Sequence, residues 1–299
     1  MMNKILAALV ALAALIVVSC VSQTTERDEL TVSIPAQKWL LDSIVGDRYK
    51  VVAMLEDGSN PETFEPTMQQ LMSLQNSAAY FTVGNLGFEL ASMPKIKENF
   101  PTLEVIDTSK GIIPIEGTHT GHACASGQNP ATSSDNPDPH LWTSLSNARI
   151  LARNMYETLV RMDPDGKDYY SARFKALDSG LSALNDSIAG ILSPLKDKAF
   201  LVWHPSLSYF ARDYSLKQIS VEISGKEASP AQYRAQLDLA KKAEPLLFFT
   251  QTEFDPRQAQ AIAEELNIPA APIAVMQFDI SAQIRSIANE LSKAASLNH

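Results

Sequence analysis

The chain has little cysteine: Cys20 and Cys124 are the only two in 299 residues. Two thiols build neither a disulfide framework nor a four-thiolate zinc site. A basic cluster is missing as well. The 25 Lys and Arg are outnumbered by 34 Asp and Glu, for a formal net charge of −9. Phosphate backbones are bound through a basic stripe, so no nucleic-acid partner is expected. Glycine (12) and proline (17) are scattered without a low-complexity tract, which argues against a fibrous or mostly disordered chain. No His-Glu-x-x-His is present, so the helical zinc-protease signature is missing. What remains, 45% hydrophobic and 20% charged residues, is the composition of an ordinary globular protein. At roughly 150 residues per domain, the length predicts two domains, each burying its own core.

Behind Lys4 runs an apolar stretch, Ile5–Val18. It is too short to cross about 30 Å of hydrocarbon and has the length of a signal-peptide core. It ends in Val17-Val18-Ser19-Cys20, which resembles the bacterial lipobox, where the cysteine is lipidated and becomes the first mature residue. That resemblance implies a signal peptide over 1–19 and a tether over 20–29 lipidated on Cys20. A cleaved signal with an incidental Cys20, or an uncleaved anchor, are the alternatives. Acyl chains hold a protein to a membrane by about 0.8 kcal/mol per buried CH2. No second apolar run of spanning length follows, so a soluble body on the periplasmic or extracytoplasmic face of a membrane is expected. Cys124 is then a lone thiol in an oxidising compartment, and no internal disulfide is expected.

From Leu30 onward, short apolar β-rich runs alternate with helical patterns. The runs are Leu30–Ile34, Tyr49–Leu55, Ala78–Val83, Leu103–Asp107, Ala199–His204, Lys217–Ile223, Leu246–Thr250 and Ala270–Val275. Helical patterns fall over Ala36–Val45, Thr67–Asn76, Leu86–Asn99, Leu207–Asp213, Pro230–Ala243, Asp255–Leu266 and Ile280–Ala295. Such alternation predicts an α/β fold with parallel sheets covered on both faces. In the middle, Tyr170, Phe174, Leu177, Leu181, Leu184, Ile188, Ile191 and Leu195 step by three and four, which predicts one long helix with a single apolar stripe. Packed on both lobes, the stripe is core; the alternative is a dimeric coiled-coil seam. The boundaries expected are an N-terminal lobe over 30–163, a linking helix over 164–195 and a C-terminal lobe over 196–299.

Open parallel sheets bind ligands beyond the carboxyl ends of their strands. Metal-competent residues placed there are Glu62 and Glu65, in Asn60-Pro61-Glu62-Thr63-Phe64-Glu65-Pro66; His140, in Asp138-Pro139-His140-Leu141-Trp142; His204, in Trp203-His204-Pro205; and Asp279, at a helix start where an Asp is commonly an N-cap. They come two from each half and converge only in a cleft between lobes. These segments, with Ser206-Leu207-Ser208-Tyr209-Phe210, Gly84-Asn85-Leu86-Gly87-Phe88-Glu89 and Glu227-Ala228-Ser229-Pro230, resemble the signature segments of the zinc/manganese substrate-binding lipoproteins of ABC importers. The resemblance spans nearly the whole mature chain.

It implies two (β/α)4-like lobes joined by one long rigid helix, one metal ion in the inter-lobe cleft, and no catalysis. Carried over residue by residue, it implies His140, His204 and Asp279 as ligands. Position 62 departs from the pattern: relatives place His there and this chain has Glu62. The implied set is therefore Glu62, His140, His204 and Asp279, with Glu65 as a supporting or helix-start residue. Imidazole suits zinc, carboxylates move preference toward manganese, and raw affinity favours zinc. One Zn2+, or next Mn2+, is the expected cargo, captured in a pH-sensitive way because protons compete for the ligands. The loop over 116–139 reads as mobile and carries His119, His122 and Cys124, weaker candidates for zinc capture. The expected partners are an ABC permease and, through Cys20, a membrane; the chain itself is expected to be a monomer whose rigid helix permits a small adjustment on release. Competing readings are a secreted zinc metallohydrolase with Glu65 as base, and a surface adhesion module with a structural metal.

Overall fold

The computed structural model describes residues 28–61, 63–115, 137–221, 230–252 and 256–297. The N-terminal half runs β1 (Glu29–Val32), α1 (Pro35–Val45), β2 (Lys50–Ala53), α2 (Met68–Ser73), β3 (Ser77–Thr82), α3 (Gly87–Asn99) and β4 (Glu104–Asp107). Its four strands are parallel and ordered β2-β1-β3-β4. Two helices follow, α4 (Leu145–Met162) and α5 (Lys167–Leu192). The C-terminal half repeats the first plan with β5 (Ala199–Val202), α6 (Ser208–Asp213), β6 (Lys217–Ser220), α7 (Pro230–Ala243), β7 (Phe248–Gln251), α8 (Pro256–Leu266), β8 (Ala270–Ile273) and α9 (Ile280–Leu297). Its strands are again parallel, ordered β6-β5-β7-β8. Pro272 is tolerated in β8 because that strand lies at the sheet edge, where one row of amides needs no partner.

All eight expected strands form, and the inner ones, β1, β3, β5 and β7, are buried along most of their length, because parallel strands covered by helices are apolar on both faces. Helix α4 was not expected. Its buried face is Leu145, Ala148, Leu151, Ala152, Met155 and Leu159, a helical spacing in which two alanines dilute the apolar signal. It packs between α1 and α5.

Helix α5 has 26 residues. Tighter 3-10 turns at Pro164–Gly166 and Ser193–Leu195 extend it to the expected limits. Tyr170, Leu181, Leu184, Ile188 and Leu192 are buried along its stripe, and Phe174, Leu177 and Ile191 pack partly buried against the same core. The stripe is therefore used within the chain rather than as a coiled-coil seam. Its first half lies on α1: Arg173 Nε donates to Ser43 O at 3.0 Å. Gly46 ends α1 with φ at +60°, and a Cβ there would stand 2.1 Å from the Tyr169 hydroxyl, so glycine serves both the left-handed turn and the close approach. Its second half lies against α9.

One expectation is corrected. The lobes do not bury separate cores. A single cluster runs from Leu30 in β1 through α4 and α5 to Phe200, Phe249 and Ile284 in the C-terminal half. Only the far face of the second sheet, with Leu201, Phe248, Leu237 and Ile262, forms a cluster of its own. The shared stripe of α5, with α9 folded back on it, joins the two halves.

Candidate metal centre

Each sheet reverses its strand order between its first and third strands in sequence, and that switch point opens a crevice at the carboxyl ends. His204 lies two residues beyond β5, at the switch of the second sheet. The turn that carries it is gripped from both neighbouring strands. Gln251, ending β7, accepts from His204 N at 2.7 Å and donates to Ser206 Oγ at 2.7 Å. Gln218 of β6 accepts from Leu207 N at 2.6 Å and donates to Ser208 Oγ at 3.0 Å. His204 is 5% exposed.

His140 comes from the other half, just ahead of the 3-10 turn Leu141–Thr143, and is 1% exposed. Asp138 Oδ1 accepts from His140 N at 2.9 Å and meets Nδ1 at 2.8 Å. Burial pushes the Asp138 carboxyl up, but the His140 charge and hydrogen bonds from His140 and Ser208 outweigh it and hold the group below the usual carboxylate range. A carboxylate at Nδ1 favours a proton there, and in the neutral ring that leaves the lone pair on Nε2, the arrangement of a metal-binding histidine oriented by a carboxylate.

The two rings stand edge to face, 5.2 Å between centroids at 70°. Two imidazoles that each reach one tetrahedral ion at about 2.0–2.1 Å have centroids about 5 Å apart. The spacing thus fits a shared ion. Asp279 is half-buried and caps α9, its Oδ1 accepting from Ala282 N at 3.0 Å. Among the described residues no three His, Cys, Asp or Glu side chains gather into a metal-holding group, so the structure pairs His140 with His204 and does not gather Asp279 to them. Glu62, His119, His122, Cys124 and Cys20 lie outside the described residues. Glu65 is exposed. The helix start belongs instead to Thr67, whose capping box with Gln70 begins α2, because a threonine hydroxyl reaches the third backbone amide directly.

Nearby, the end of β3 is braced by Glu89, 2% exposed. Its carboxylate accepts from Val83 N at 2.7 Å, Gly84 N at 2.8 Å and Leu86 N at 3.4 Å. Burial pushes this carboxyl up, against the pull of Ser33 and those amides.

Several residues that shape the site were not singled out from the sequence. Asp138 had a local signal, two residues before His140. Trp142 and Tyr209 stood in the quoted segments without a role of their own, and Gln251 had no signal. Trp142 Nε1 donates to Val275 O at 2.9 Å, and the Tyr209 hydroxyl donates to Asp138 O at 2.8 Å. Ser144 Oγ donates to Asp213 Oδ2 at 2.5 Å. All three bonds cross from one half to the other beside His140.

The family model described as zinc-uptake complex component A, periplasmic (ZnuA), matches residues 30–289. A crystal structure of ZnuA is 32% identical in sequence, with a TM-score of 0.79 over 89% of this chain and 98% of its own. The zinc-binding lipoprotein AdcA of Streptococcus pneumoniae serotype 4 is 26% identical across 98% of this chain and 58% of its own length, so the chain spans little more than half of that relative. The manganese ABC transporter substrate-binding lipoprotein PsaA of Streptococcus pneumoniae is 25% identical across 76% of this chain and 73% of its own.

Proposed function

The chain belongs to the zinc-uptake complex component A family, a family of metal-binding substrate-binding proteins of ABC transport, and on that premise we propose that it captures one divalent transition ion between its lobes and delivers it to an ABC permease. His140 and His204 supply the imidazoles. Glu62 and the second oxygen of Asp279 complete the set after a small closure, and their charges neutralise the ion. Zinc is the proposed cargo and manganese the runner-up. Two imidazoles with two carboxylates suit zinc at about 2.0–2.2 Å, and zinc binds such sites more tightly than manganese. Among the described residues no helix is long and apolar enough to cross a membrane; attachment to a membrane through a lipid on Cys20 is part of the proposal.

The observation that carries this reading is the 5.2 Å pairing of two buried histidines from opposite halves. It is tested by chelator competition on metal-stripped protein. Zinc affinities of about 10–16 kcal/mol are shared among about four ligands, so His140→Ala and His204→Ala should each weaken binding on the order of 100-fold or more. Parental zinc affinity in the double variant would sink the site assignment. Metal-dependent turnover of a generic ester or peptide would overturn the receptor reading in favour of a hydrolase.

A further inference from the structure

Tyr209 is fully buried, and its hydroxyl sits where two backbone strands meet. It accepts from Ile115 N at 3.2 Å and donates to Asp138 O at 2.8 Å. Those strands are also bonded to each other, Asp138 N donating to Ile115 O at 2.9 Å. Asp138 is thus held from the C-terminal half through its main chain, which leaves its carboxylate free to face His140. That same carboxylate holds both the backbone amide and the Nδ1 of His140.

We propose that the first turn of α6 is a positioning element for His140: Tyr209 fixes Asp138, and Asp138 fixes the imidazole. The proposal rests on the reading of His140 as a metal ligand. Tyr209 follows His204 by five residues on a turn that Gln251 and Gln218 already brace. One rigid segment therefore places His204 directly and His140 through Asp138. The separation of the two rings is set by that segment rather than by two lobes finding their positions independently. Outer partners of this kind are worth roughly 10–100-fold in metal affinity. A tyrosine buried only for packing would need no hydroxyl at this point; here the hydroxyl closes the base of the segment that ends at His140.

The test is a double-mutant cycle on zinc affinity, read by chelator competition with the full chain. Tyr209→Phe keeps the buried ring and is expected to weaken zinc about 10-fold, and Asp138→Asn by about 10–100-fold. If Tyr209 acts through Asp138, the double variant binds zinc within about threefold of Asp138→Asn alone, because a shared pathway is not additive. A merely structural hydroxyl would lower affinity by the same factor in both backgrounds, and that additive result overturns the proposal, as does parental affinity in Tyr209→Phe. Should Tyr209→Phe fail to fold, Tyr209→Met, which also lacks the hydroxyl, makes the same test: a loss in the parent that vanishes in Asp138→Asn supports the proposal, and no loss in the parent overturns it. His140→Ala separates the two levels. If it binds zinc as the parent does, the ligand reading has failed; if it binds weakly while Tyr209→Phe does not, only the positioning role has.

Discussion

In the proposed ligand set, Glu62 is the residue on which the choice of cargo turns. Its motif, Asn60-Pro61-Glu62-Thr63-Phe64-Glu65-Pro66, departs from the pattern it resembles by one side chain, a carboxylate in place of an imidazole. A carboxylate is the harder ligand and relaxes discrimination between zinc and manganese. Glu62→His is therefore expected to raise the ratio of zinc to manganese affinity, by roughly tenfold or more, in a competition measured with both ions on one preparation; an unchanged ratio would remove Glu62 from the ligand set. The histidines were legible in the sequence because each sits in a short segment with Pro and Trp beside it. Asp138 was legible only as a neighbour in that segment. Gln251 was not legible at all, and Tyr209 stood in a segment that carries the resemblance without its role showing. Their partners, His204 and Asp138, lie 47 and 71 residues away, and a distant hydrogen bond leaves no mark on local residue pattern.

At the scale of the element, α5 is what makes two sheets into one molecule. Ile188 is fully buried on the half of α5 that meets α9. Replacing it by alanine removes three buried carbons and leaves a cavity, so Ile188→Ala should cost about 2–5 kcal/mol. The loss would appear as a lower denaturant midpoint with an unchanged slope. Zinc affinity of the folded variant should stay near the parent value, since no ligand or outer partner is touched; a large loss of affinity at full folding would mean that α5 tunes the site. The stripe of α5 was readable because its large side chains recur every three or four residues, and the inner strands were readable because burial on both faces disfavours polar interruption. Helix α4 escaped because Ala148 and Ala152 occupy core positions that weigh little in an apolar count. Thr67, not Glu65, begins α2, a difference of two residues that depends on which side chain can reach an amide rather than on charge.

For the whole molecule, the two-domain expectation from length survives as two sheets of the same strand order, but not as two independent cores. Composition alone could not reveal this. Whether two lobes share a core depends on how the last helix returns, and α9 returns to the linking helix. The consequence is that the two halves are tied to each other beside His140 by Trp142, Tyr209 and Ser144; on the proposed function, capture and release would then proceed by small adjustments. The central claim is that one ion is held between His140 and His204. X-ray absorption on the zinc-loaded chain counts imidazoles directly. The account predicts two imidazole nitrogens together with oxygen ligands, all within about 2.0–2.2 Å of the ion, and one imidazole fewer in His204→Ala. A shell with no imidazole, or one whose imidazole count is untouched by His204→Ala, would contradict it.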